Sequence, residues 1–104
     1  MNNQQEKILL SEEQIRFLKK SAHHLKPVVQ VGKKGVSLAL INEINQALLD
    51  HELIKVQVLP VQKPELDENV RELTLKTGAE HIATIGNVII LFKARDEGSS
   101  FFQE

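Results

Sequence analysis

Two lysines held between two glycines, Gly32-Lys33-Lys34-Gly35, are the residues of this chain best placed to do chemistry. The chemistry is the gripping of phosphate. Ammonium groups neutralise phosphate oxygens, and glycine lets a backbone turn tightly and approach a ligand without Cβ atoms in the way. The apolar run Val28-Val29-Gln30-Val31 precedes the loop, and Ser37 opens a helical pattern after it. The loop would thus lead from a strand into a helix N-terminus, where unpaired N–H groups and the positive end of a dipole favour an anion. The spacing alone is cheap: at an average glycine usage of ~7%, about one hundred-residue chain in two contains a G-x-x-G by chance. Only its context makes it informative.

Charge supplies part of that context. The net charge of −1 argues by itself against a polyanionic partner, but it averages two unlike halves. Residues 1–42 carry seven basic and three acidic side chains, whereas residues 43–104 carry six and eleven. No acidic residue stands between Glu13 and Glu43, an interval that holds Arg16, Lys19, Lys20, Lys26, Lys33 and Lys34. A one-sided basic patch is the electrostatic footprint of polyanion binding, whatever the total charge. Taken alone, a pair such as Lys19-Lys20 would be a solvated helix face.

The remaining composition narrows the class. One hundred and four residues make a single domain with a real core, and 41% hydrophobic with 26% charged residues is ordinary for a soluble protein. The absence of cysteine excludes disulfides and thiolate metal sites and fits a cytoplasmic home. Residues 1–10 lack the basic start and long apolar stretch of a signal peptide, and no segment approaches ~18 apolar residues. With four phenylalanines and neither tyrosine nor tryptophan, a base-stacking platform is not expected. Phosphate, sugar and shape are the expected determinants, which favours a structured RNA.

Catalysis finds little support. The histidines are at 23, 24, 51 and 81, and His23-His24 on a helix would point about 100° apart. Neither has a histidine or carboxylate four residues on, so no metal is expected. No serine occupies a G-x-S-x-G elbow, and no Walker or Rossmann pattern, hence no cofactor, accompanies the single G-x-x-G. Glu65, Asp67, Glu68 and Glu72 read as the solvated start of a helix, favoured there by its dipole. No catalytic residues are assigned.

The elements that would hold the loop follow from pattern. Ser11 and Gln14 form a capping box, and Ile15, Leu18, Ala22 and Leu25 mark the buried stripe of a first helix that Pro27 ends. Residues 28–31 form a short buried strand. Ser37 caps a second helix with Leu40, Ile41, Ile44, Ala47 and Leu48 inward. Residues 53–59 alternate as a half-buried strand with Lys55 on its polar side, and a third helix is expected over 67–77, capped by Gly78. Gly86-Asn87 turns a hairpin, type II′, whose apolar return strand belongs in the sheet centre. The order α-β-α-β-α-β-β gives an α+β two-layer sandwich, α/β in the broad sense, around a mixed four-stranded sheet. Residues 1–8 are expected to be flexible, 9–95 to form the domain, and 96–104 to be a flexible tail in which Phe101-Phe102 is the one oddity, a pair that would either dock loosely or pack against another chain.

Over residues 9–94 the chain resembles the CRM-domain family in its stand-alone bacterial YhbY-type form. The likeness rests on Arg16-x-Leu18-Lys19, on the run from Ala22-His23-His24-Leu25-Lys26-Pro27 through Val28-Val29-Gln30-Val31 to Gly32-Lys33-Lys34-Gly35, and on Glu43-Ile44 and Ala47-Leu48. It continues with His51-Glu52-Leu53-Ile54-Lys55-Val56 and Ile85-Gly86. The resemblance implies an RNA-binding fold similar to the C-terminal domain of a bacterial initiation factor, and association with precursor large ribosomal subunits during assembly. It also likens the glycine loop to that of KH domains, which clamps a nucleic-acid backbone. One departure stands out: where the family ends with tyrosine and arginine, this chain has Phe92-Lys93.

The expectation is therefore a small non-catalytic protein binding structured ribosomal RNA during large-subunit assembly, monomeric and without membrane attachment. Gly32 and Gly35 would let the loop meet the RNA backbone, and Lys33 and Lys34 would neutralise phosphates. Arg16, Lys19, Lys20 and Lys26 would extend the contact, with Lys55 a weaker candidate. Two rivals remain. An adaptor would dock a ribosomal protein or assembly factor through Glu65, Asp67, Glu68 and Glu72, and a hydrolase would need His51 or His81 joined to carboxylates.

Overall fold

Capping residues set the first two helices. In a computed structural model that describes residues 10–102, α1 (Glu12–Ala22) opens with the expected capping box. Ser11 Oγ accepts from the Gln14 amide at 3.0 Å, and Gln14 Oε1 accepts from the Ser11 amide at 2.9 Å. Ser37 Oγ likewise accepts from the Leu40 amide at 3.1 Å to start α2 (Leu38–His51). The third helix, α3 (Lys63–Thr77), begins four residues before the expected Asp67. Pro64 lies in its first turn, where a missing N–H costs nothing and a fixed φ suits the helix, so it opens α3 instead of delimiting a loop. Gly78, at φ +77°, ends it as expected. α1 stops at Ala22, well short of Pro27, which leaves Leu25 and Val28 in an exposed connection outside helix and strand.

The four strands are β1 (Val29–Val31), β2 (Leu53–Val58), β3 (Glu80–Ile85) and β4 (Val88–Phe92), in spatial order β1-β2-β4-β3. β1 runs parallel to β2, with Val29 opposite Val56; β4 is antiparallel to both neighbours. The almost wholly apolar β4 is central, as its composition requires. Gly86 has φ +61° while Asn87 keeps a negative φ, the sign pattern of the expected II′ turn.

Alternation along the strands then builds two cores. Val29, Val31, Ile54, Val56, Ile89 and Leu91 face α2 and α3, packing on Ile41, Ile44, Leu48 and Leu73. Their neighbours Leu53, Ile90 and Phe92 point the other way, to Leu18 and Ala22 of α1. The expected class, element order and mixed sheet stand, but the layering is richer than two: α1 adds a partial third layer.

The C-terminal residues depart most from expectation. Residues 98–102, expected to be part of a flexible tail, fold back across α1 and the sheet. Phe92 lies 5.9 Å from Phe101 and 5.8 Å from Phe102, and Phe17 lies 5.8 Å from Phe102, between ring centroids. Every phenylalanine of the chain thus meets in one cluster. Its polar anchor is Glu52, whose φ of +66° lets α2 pass straight into β2. The Glu52 carboxylate is fully buried and accepts from the amides of Arg95 at 3.1 Å and Ser100 at 2.8 Å, and from the Ser100 hydroxyl. Arg95 completes the junction, its guanidinium donating to the carbonyls of Leu49 and Asp50 at the end of α2. Burial pushes the Glu52 carboxyl up, but the bonds from Ser100, Arg95 and Ser99 outweigh it and hold the pKa below the ordinary 4.5. The expected flexible segment at 1–8 lies outside the described residues. No described helix is long and apolar enough to cross a membrane.

Candidate nucleic-acid interface

The glycine loop is a closed β-turn. The Gly35 amide donates to the Gly32 carbonyl at 3.0 Å, which leaves Lys33 and Lys34 at the two corners. Gly35 needs its lack of side chain for the backbone, having φ +72°, whereas Gly32 does not take a positive φ. A Cβ at either position would meet nothing within 4 Å. The glycines therefore leave open space toward solvent, the geometry needed for another molecule's backbone to come close. Upstream the turn is anchored by β1, whose Val31 carbonyl accepts from the Leu59 amide at 3.2 Å. Downstream lies the N-terminus of α2. Unlike α1 and α3, α2 has no acidic residue in its first turn, so none of its own carboxylates offsets its positive end.

Both lysine tips are exposed, and no described carboxylate lies within ion-pairing distance of either. The same holds for Arg16, Lys19, Lys20 and Lys26. Arg16, Lys19 and Lys20 are all exposed on α1: Arg16 and Lys20, four residues apart, lie opposite the buried Leu18 and Ala22, and Lys19 flanks them. The other half of the chain behaves differently. Lys63, Arg71 and Lys76 pair with Asp67, Glu68 and Glu72 along α3, at 3.1, 3.0 and 2.8 Å, and Arg95 with Glu52 at 3.5 Å. The fold thus sharpens the charge asymmetry of the sequence: among the described residues, cations of the N-terminal half stay unpaired, while most acids of α3 are neutralised.

Lys55 differs from the other candidates. Its Nζ donates to the Leu25 carbonyl at 3.0 Å, and its own carbonyl accepts from the Val28 amide at 3.0 Å. It fastens to β2 the connection that carries Lys26, and so works first as a positioning residue. The histidines do not converge: His81 shares a 2.7 Å hydrogen bond with Thr84, and burial pushes its pKa down, while His23 and His24 stack edge to face on each other. Two features escaped sequence reasoning. One is the Glu52 anchor, whose only signal was a pair of aromatics in an otherwise polar tail. The other is a cleft beside the glycine loop, walled by Leu59, Pro60 and Glu65, which depends on α3 starting early.

Gly32 offers a clean test of close approach. Gly32→Ala should fold with stability within about 0.5 kcal/mol of the parent, because the new methyl meets nothing and no positive φ is lost. Nucleic-acid affinity should nevertheless fall several-fold in a filter-binding titration. An unaltered affinity would mean that no ligand backbone comes near this turn.

The profile of the CRS1 / YhbY (CRM) domain matches residues 10–93. The chain belongs to the CRM-domain family. Among curated relatives it is 46% identical over 91 residues to the Bacillus subtilis (strain 168) protein YqeI, described as a probable RNA-binding protein, covering 86% of this chain and 93% of that one. It is 38% identical over 88 residues to a Haemophilus influenzae protein described as RNA-binding, covering 85% and 89%. Among solved structures it is similar to SAV1595 of Staphylococcus aureus, described as a candidate RNA-binding protein, with a TM-score of 0.75, 32% identity and coverage of 85% and 92%. The departure at Phe92-Lys93 now has a structural counterpart. Phe92 is buried in the aromatic cluster, and Lys93 Nζ donates to the Thr77 carbonyl at 2.9 Å, so both residues serve the fold of this CRM domain.

Proposed function

We propose that this protein binds structured ribosomal RNA and acts, without catalysing a reaction, in assembly of the large ribosomal subunit. The observation that carries the binding mode is the Gly32-Lys33-Lys34-Gly35 turn, with two cations at its corners that no described carboxylate pairs with and an acid-free helix start behind it. Arg16, Lys19, Lys20 and Lys26, unpaired among the described residues, extend the positive charge, so one RNA would be held by the turn and by the outward face of α1. The RNA-binding descriptions of its relatives support the ligand class, and the family resemblance supports the ribosomal setting. The protein would work as a monomer in the cytoplasm.

The adaptor alternative loses ground because Asp67, Glu68 and Glu72 are spent in pairs along α3. Crosslinking the protein in growing cells and sequencing the attached RNA should recover large-subunit precursor RNA. The recovery should collapse for a Lys33→Glu, Lys34→Glu variant. Recovery of ribosomal proteins in place of RNA would favour the adaptor.

A further inference from the structure

The cleft beside the glycine loop has a volume of about 470 Å³, ample for one nucleobase. Gly32 and Lys33 form one rim, Leu59 and Pro60 an apolar wall, and Glu65 and Asn69, one turn apart on α3, the polar wall. Glu65 is the unusual member. Of the four acids singled out on this helix, the other three are engaged by Lys63, Arg71 and Lys76, and Glu65 has no ion-pair or side-chain hydrogen-bond partner among the described residues. A bare carboxylate beside a phosphate-gripping turn repels the phosphate chain. It becomes favourable when a ligand brings N–H donors to it, and an unpaired nucleobase does so through its Watson–Crick edge.

We propose that this cleft receives an unpaired guanine of the strand whose backbone the turn holds, and that Glu65 reads its N1–H and N2–H donors. This deepens the RNA-binding reading and rests on it. Guanine suits the site best because its edge presents two adjacent N–H donors to one carboxylate. Cytosine and adenine present an exocyclic amine beside a ring acceptor, and uracil a single ring N–H. Asn69, which also lines the cleft, would donate its amide to the neighbouring O6, while Leu59, 44% exposed, offers an apolar surface to the base face. Selectivity then comes from one pocket while the cations supply sequence-independent affinity.

The test uses uridine heptamers with guanosine or inosine at the centre, the latter lacking only the 2-amino group, titrated against the full chain and its variants. The parent should prefer guanosine about tenfold. Glu65→Gln, at an exposed position with no partner to lose among the described residues, should reduce that preference to about twofold or less. Lys33→Gln, Lys34→Gln should weaken both oligonucleotides alike and leave the ratio intact. Equal binding of the two by the parent, or a preference that survives Glu65→Gln, would overturn the cleft while the loop variant still reports on the turn. Binding that ignores the loop lysines altogether would overturn the underlying reading, and the guanine site with it.

Discussion

Replacing Glu52 by alanine should cost on the order of 3 kcal/mol, the largest stability effect expected of any polar residue here. The carboxylate is buried and bonded to the Arg95 and Ser100 amides, so its removal strands those donors and frees Arg95 from its counter-charge. Melting should fall by at least about 12 °C for a domain of this size. Truncation after Gly98 removes Ser100, Phe101 and Phe102 together and should produce a loss of the same order. The two changes should not add, because they delete the same contacts. The pH dependence has a definite sign. The folded pKa of Glu52 lies below 4.5, so its stabilisation is complete above that value and is lost as pH falls through the folded pKa. Urea denaturation should therefore show the gap between parent and Glu52→Gln closing below pH 4.5. A gap independent of pH would mean that folding does not lower the carboxyl's pKa, and a gap that widens below pH 4.5 would mean that folding raises it.

Reversing the charge at the loop, Lys33→Glu with Lys34→Glu, should weaken RNA binding by about a hundredfold at moderate salt while leaving melting unchanged. Two charge-assisted contacts at ~1.5 kcal/mol each set that scale. Stability should hold because neither side chain is engaged in a hydrogen bond or ion pair with the described residues. The companion reversal of Lys63, whose charge is already spent on Asp67, should change affinity little. The contrast separates the turn's own role from any general effect of net charge.

Much of this was legible in residue types because the governing physics is local. Serine caps at Ser11 and Ser37, Gly78 at a helix end, Gly86-Asn87 in a hairpin and alternation along β2 each act within a few residues. The glycine turn and its cations were equally plain. What resisted was set by distant partners. The start of α3 was misplaced because Pro64 serves equally in a loop or a first helical turn, and packing decides between them. The third layer was hidden because Leu53, at the start of an alternating strand, faces α1 while Ile54 faces α2 and α3. The tail looked disordered by composition, since its order comes from Glu52, forty-eight residues earlier than Ser100. The cleft, likewise, exists only where the glycine loop and α3 meet.

Salt titration of RNA affinity, comparing the parent with Lys33→Gln, Lys34→Gln, tests the central claim most directly. Two phosphates released from contact should make the slope of log affinity against log salt shallower by ~1.4 to 1.8. An identical slope in a correctly folded variant would show that these lysines touch no phosphate.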